Sequence, residues 1–223
     1  MSKEKNTCVI AKDTHHLLCM YSGGLDSLGA LYKVLTDEAY KKHTIHVHHL
    51  NLYNRENRAR AESIAVDKAI ACLTDLFPNR FFLTQSSHDY RFMSGSFPYD
   101  AELVAFVAAQ IVRGDQRIKG VAVGRNKSDV GEGALNVESR MRRLNRAQAI
   151  YKATLFGINF KTPDYIFPVL EDTKKDIYEL LPKSLKDKFW SCRTPVFNGD
   201  QPEPCRRCET CKEVEKIITL HPS

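Results

Sequence analysis

Two spacings of apolar residues alternate along this chain. Short apolar or alternating runs at 17–21, 44–50, 80–84, 118–123 and 165–170 predict five strands. Between them apolar residues return at helical spacing. Leu25, Leu28, Leu31, Tyr32 and Leu35 line one helix face; Ala61, Ile64, Ala65, Ala69, Cys72, Leu73 and Leu76 line a second helix, which stops before Pro78. Residues 101–112 are apolar nearly all round and predict a buried helix ended by Gly114. A helix is expected over 138–156, with Met141, Leu144, Tyr151 and Leu155 inward. Thr173-Lys174-Lys175-Asp176 reads as a capping box that opens a short helix. Polar stretches at 51–60 and 85–100 are expected as loops. Strands alternating with helices predict an α/β fold, a doubly wound and mostly parallel five-stranded sheet. In such sheets ligands sit at the carboxyl ends of the strands, so the loops at 22–27, 51–58 and 124–129 should face one crevice.

The first of these loops carries the most chemistry. Ser22-Gly23-Gly24-Leu25-Asp26-Ser27 joins a buried strand to a helix. A glycine turn feeding a helix N-terminus is an anion site, because its free N–H groups point outward and the helix dipole adds positive charge. The Ser22 and Ser27 hydroxyls add donors. Asp26 would repel a phosphate unless it holds a Mg²⁺ that also grips the phosphates. The Gly-Lys-Ser/Thr ending of the Walker loop is absent.

The 223 residues suffice for one α/β domain with a small appendage, expected at 1–188 and 189–223. No apolar run approaches a membrane span and residues 1–7 are polar, so a cytoplasmic protein is expected, with no membrane partner. A net charge of +6 agrees with small anionic ligands without demanding nucleic acid. Four histidines lie within residues 43–49, but no third metal partner is placed by sequence, and polar packing on a strand is the expected role.

Four of the seven cysteines crowd the end of the chain. Cys192, Cys205, Cys208 and Cys211 give the spacing Cys-x12-Cys-x2-Cys-x2-Cys. Cys-x2-Cys turns aim two thiolates at one ion, and a distant fourth closes a tetrahedron. A structural Zn²⁺ is expected, with an iron–sulfur cluster as its rival.

Ser-Gly-Gly-Leu-Asp-Ser resembles the PP-loop of the ATP pyrophosphatases. Together with Trp190-Ser191-Cys192-Arg193 and Cys205-Arg206-Arg207-Cys208-Glu209-Thr210-Cys211, it resembles the 7-cyano-7-deazaguanine synthases. Gly124, Asn126 and Asp129 match that family's Gly-x-Asn-x-x-Asp loop, and Thr173 to Ile177 the segment before its zinc loop. The chain departs from the family at 54–58, 97–100 and 130–135, near where the deazapurine would bind.

The resemblance implies an ATP-dependent C–N ligase. It would adenylate 7-carboxy-7-deazaguanine and let ammonia displace AMP, giving amide and then nitrile. Ser22, Gly23, Gly24, Leu25 and Ser27 would hold pyrophosphate, Asp26 the Mg²⁺, and Gly124 and Asp129 would complete the nucleotide site. Arg125 and Lys127 would add positive charge. The expected partners are the small-molecule carboxylate and ammonia, and a homodimer is allowed. Two alternatives stand beside this reading. One is the same chemistry on another acid or on a deazaguanine joined to a protein. The other is a tRNA-binding or tRNA-modifying protein, drawn from Arg140, Arg142, Arg143 and Arg146 on one helix.

Overall fold

The computed structural model describes residues 15–93, 100–127 and 137–220. Five parallel strands form one sheet: β1 (His16–Met20), β2 (Thr44–Tyr53), β3 (Phe81–Asp89), β4 (Ile118–Val123) and β5 (Asp164–Ile166). Their spatial order is β3-β2-β1-β4-β5. β1 pairs with β2 on one side and β4 on the other, so the winding reverses at β1. Parallel neighbours need crossovers, supplied by four helices, α1 (Leu25–Thr36), α2 (Ala59–Leu76), α3 (Asp100–Gly114) and α4 (Val137–Thr154); together with α5 (Lys174–Leu180), which follows the last strand, they cover both faces. The doubly wound α/β fold expected from the alternating pattern is present.

Each face has its own core. Leu17, Cys19, Ile45 and Val47 pack under Leu28, Leu31, Val66, Leu73 and Ile177 of α1, α2 and α5. Leu18, Met20, Val121 and Val123 pack under Ala105, Ala108, Ala109, Ala147 and Tyr151 of α3 and α4. The side chains of β1 alternate between the two clusters, as the two-residue strand period requires.

Several expectations need correction. The third strand runs to Asp89, so residues 85–89 at the start of the expected loop at 85–100 are strand, and residues 94–99 lie outside those described. β2 likewise continues to Tyr53. The added halves pair with each other, from His49↔Gln85 to Tyr53↔Asp89. Polar side chains are tolerated because β3 is an edge strand whose ladder is made by backbone alone. The fifth strand is only Asp164–Ile166. Pro168 has no N–H to continue the ladder. Met141 is exposed, although its spacing points it inward. Among the described side chains of α4, Ala147 and Tyr151 are buried, as is Leu155 just beyond the helix. The capping box is present: the Asp176 amide donates to the Thr173 hydroxyl at 3.2 Å, and the Thr173 amide to the Asp176 carboxylate at 2.8 Å.

The strand histidines pack across the sheet. His46 and His48 share the Thr84 hydroxyl at 2.6 and 2.8 Å, His48 also meets Ser86, and His46 stacks on Phe82. Burial, above all, lowers the pKa of both to about 4, so they are neutral in the folded protein at neutral pH. The unfolded chain takes protons at histidine near pH 6.5, and the folded protein not until about 4. The unfolded state therefore binds more protons in this window, and stability is lost as pH falls through it. The melting temperature should decline over that range, and a His46→Gln/His48→Gln double variant should show a shallower decline. Parallel curves for the two proteins would remove these histidines as the cause.

After α5 the chain forms a hairpin of β6 (Val196–Asn198) and β7 (Gln201–Glu203), then α6 (Glu209–Leu220). Lys174 of α5 is ion-paired to Glu213 of α6, and Arg60 of α2 to Asp200 in the hairpin turn. No helix among the described residues is long and apolar enough to cross a membrane.

Candidate functional site

The site lies at the switch point, beyond the carboxyl ends of β1 and β4. β1 ends at Met20, and α1 begins five residues later with Gly24 as its N-cap. Gly23 makes the reversal at φ +82°, a conformation L side chains rarely adopt. A Cβ there would also lie 2.8 Å from the carbonyl oxygen of Glu62 on α2. From the other side Gly124, just past β4, meets the first turn of α1 backbone to backbone. A Cβ on Gly124 would sit 2.5 Å from both Cα and N of Ser27.

Internal hydrogen bonds hold the turn in shape. The Ser22 amide donates to Ser27 Oγ at 3.2 Å, Ser27 Oγ donates to the Gly24 carbonyl at 3.0 Å, and the two serine hydroxyls are 3.0 Å apart. No side chain caps α1. Its first-turn amides have no acceptor within the helix, which suits an incoming anion.

A cleft of about 270 Å³ opens above the turn. Ser22, Gly24, Leu25, Asp26, Ser27, Gly124 and Arg125 line it, so most of the nucleotide residues expected from sequence meet there. Gly23 lies in the turn beneath. Lys127 does not line the cleft; it is exposed, and its amide donates to the Asp172 carbonyl at 2.8 Å. Asp129 lies outside the described residues.

The chain's end supplies another wall. The Trp190 amide donates to the Gly23 carbonyl at 2.8 Å, and the Trp190 indole N–H to the Cys192 carbonyl at 2.8 Å. Trp190, Ser191, Arg193 and Thr210 line the cleft around the metal-ligand sequence. The motif at 190–193 was legible as a cysteine signature. Its contact with the glycine turn was not, because about 170 residues separate the two in the chain.

An acidic cluster forms the remaining wall, and sequence reasoning missed it. Arg58 meets three carboxylates: Glu56 at 2.9 Å, Glu62 at 3.3 Å, and Asp100. Tyr90 donates to Asp100 at 3.3 Å, and Arg193 to Glu56 at 3.0 Å. Burial raises the Glu62 pKa to about 7, against the downward pull of Arg58. The i,i+4 spacing of Arg58 and Glu62 at a helix start was the available signal.

The four cysteines expected as metal ligands converge. Their sulfurs lie within 4.8 Å of one another, and those of Cys205 and Cys211 are 3.9 Å apart. A single ion bound by four thiolates at about 2.3 Å spaces them about 3.8 Å apart, so the cage fits one tetrahedral ion after slight contraction. The thiols are polarised unequally. Burial pushes Cys192 and Cys211 up, while the Thr194 hydroxyl and backbone amides bring Cys205 down to about 5. A bound cation would remove this inequality by holding all four as thiolates.

The arginines of α4 have local partners: Arg142 pairs with Glu138 at 3.4 Å and Arg146 with Glu102 at 2.9 Å, while the Arg140 side chain lies outside the described residues.

No protein-family model matches the chain, and no curated protein does. Among solved structures it is similar to the U34-tRNA thiolase NcsA from Methanococcus maripaludis with its [4Fe-4S] cluster, at 17% identity and a TM-score of 0.49, over 93% of this chain and 67% of that one.

Proposed function

We infer that the protein is an ATP-dependent C–N ligase that cleaves ATP to AMP and pyrophosphate. The observation that carries this reading is a short glycine turn at the switch point, with a carboxylate in the first turn of the following helix and no Walker lysine. Such a turn can hold a compact pyrophosphate as leaving group, with the α-phosphorus exposed to attack.

The amides of Gly23, Gly24 and Leu25 and the hydroxyls of Ser22 and Ser27 bind the pyrophosphate. Asp26 would hold Mg²⁺, which would neutralise charge on the phosphates. Arg125 lies across the turn and offsets charge that develops at the α-phosphorus. The acid's carboxylate oxygen attacks that phosphorus. Ammonia then attacks the acyl carbon, and AMP leaves. Lys127 is left without a role. The best candidate acid is 7-carboxy-7-deazaguanine, on the resemblance of the cysteine end and the turn to the 7-cyano-7-deazaguanine synthases.

Zn²⁺ is the ion proposed for Cys192, Cys205, Cys208 and Cys211. The sulfur spacing supports a single ion; a four-iron cubane stands between its ligands and needs a wider cage. The segment at 189–223 is then a zinc-pinned appendage to the ATP domain. A thiolate site of this kind suits the reducing cytoplasm.

The test supplies the protein with ATP, Mg²⁺, ammonia and 7-carboxy-7-deazaguanine, and reads products by chromatography and mass spectrometry. AMP, pyrophosphate and the amide or nitrile are expected, with no AMP when the acid is omitted. ADP and phosphate as sole products would overturn the adenylation chemistry. AMP formed only with a different acid would keep the chemistry and change the substrate.

A further inference from the structure

We propose that the outer edge of β3 is a dimer interface, pairing antiparallel with β3 of a second copy of this chain about a two-fold axis at Gln85. The inference stands apart from the ligase reading, because no residue of β3 lines the cleft.

β3 is the last strand of the sheet on its side. Along a parallel strand, successive residues turn their backbone groups alternately to one side and the other. The Ile45 amide donates to the Arg80 carbonyl at 3.0 Å, and the Tyr90 amide to the Tyr53 carbonyl at 3.1 Å. Every second residue from Arg80 to Tyr90 therefore faces β2. The N–H and C=O groups of Phe81, Leu83, Gln85, Ser87 and Asp89 point the other way, where no strand lies among the described residues. α2 packs over β2, one strand inward from that edge.

Such an edge invites pairing, and chains that stay single blunt it with short strands, proline, lysine or a bulge. This chain blunts one edge and not the other. β5 is three residues long, with Pro163 just before it and Pro168 two residues after. β3 has nine residues, Phe81-Phe82-Leu83-Thr84-Gln85-Ser86-Ser87-His88-Asp89, with no proline, lysine or arginine among them. Its register against β2 runs from Phe81 to Asp89 without a shift. Its acid, Asp89, stands at the last position and is already paired to Arg91 at 2.6 Å. Phe81, Phe82 and Leu83, all half-buried, add apolar area at the rim. The strand is also its own complement. With Gln85 opposite its copy, Leu83 meets the partner's Ser87, Phe81 the partner's Asp89, Thr84 the partner's Ser86 and Phe82 the partner's His88, so no like charges oppose. The outward residues of both strands then fall in hydrogen-bonded pairs and close about ten backbone bonds. A second copy is the occupant for this reason: one register satisfies both edges at once. The two sheets become one, and because the strands run antiparallel across the axis, the two clefts open at opposite ends of it.

Gln85 and Ser87 are exposed and share a strand face, so charge can be placed there without entering a core cluster. In sedimentation velocity the full-length wild type should run as a dimer. The double variant Gln85→Lys/Ser87→Lys gathers the lysines of both copies around the axis and should weaken the dimer at least about tenfold. Gln85→Glu/Ser87→Glu should do the same. An equimolar mixture of the two variants should regain the dimer, because opposite charges then face each other. In the concentrated wild type the amides of Leu83, Gln85 and Ser87 should exchange slowly with solvent, and they should lose that protection on dilution. Hydrogen exchange needs no variant, so it decides the matter even where a substituted chain fails to fold. A monomeric wild type, a dimer that the lysine pair leaves intact, a mixture that associates no more tightly than its parents, or open amides at those three positions would each overturn the proposal.

Discussion

Asp26→Asn should abolish Mg²⁺-dependent AMP release, by at least about a hundredfold, and leave the melting temperature unchanged. Asp26 lines the cleft as the second residue of α1, directly beside the serine pair that shapes the turn. Its carboxylate contributes nothing apolar to either core cluster. An amide of the same shape keeps the packing and the hydrogen-bonding capacity and removes only the charge. Without a cation, that charge repels a phosphate a few ångströms away. The variant should therefore bind ATP in the absence of Mg²⁺ at least as well as the wild type, and fail to gain affinity when Mg²⁺ is added. A structural role would predict the reverse, with lost stability and retained metal dependence. Near-normal AMP release from a folded variant would sink the assignment.

The second large effect should come from the cysteine cage. The purified protein is expected to carry about one zinc per chain, and Cys208→Ser to lose most of it. Structural zinc contributes about 10–16 kcal/mol in zinc-finger peptides. Here the domain has its own core, and a loss of even about 3 kcal/mol would lower the melting temperature by about 6–12 °C. The damage should reach the nucleotide, because Cys192 is two residues from Trp190, whose amide holds the Gly23 carbonyl. ATP affinity should fall in the same variant. Unchanged metal content and stability would refute the metal site. Lost metal with unchanged ATP affinity would show that the tail holds its shape on the cleft without the ion. A brown protein with visible absorption would replace zinc with an iron–sulfur cluster.

Much of this was legible in the chain because the key features are local. The first strand, its turn and α1 are consecutive, and their apolar spacing and glycines describe the folded geometry with little help from elsewhere. The four cysteines announce themselves by spacing alone. What stayed hidden depends on distant partners. The polar half of β3, Gln85–Asp89 within Phe81–Asp89, is a strand only because the second half of β2 offers it a backbone ladder. Met141 has the right spacing for burial but lies one turn before the half-buried Leu144. Asp100 meets Arg58 across 42 residues and a sheet, and no periodicity encodes that meeting. Local rules found the glycine turn of the cleft and missed the Arg58 carboxylate cluster for this reason.

The strand order has a consequence for how the protein comes into being. β1 cannot find its second neighbour until β4 has been made, and the register Cys19↔Ala122 joins residues about a hundred positions apart. Until then Leu18 and Met20 have no β4 or α4 residues to pack against, and Gly124 is not in place against Ser27. Non-local parallel pairings of this kind form late and slowly. A chain halted before residue 118 can assemble β1, α1, β2, α2 and β3, yet it lacks the β4 side of the crevice. Competence to bind nucleotide should thus appear abruptly, near the close of folding. A nascent chain tethered with β4 still inside the ribosome exit tunnel should expose apolar surface that a chaperone would recognise.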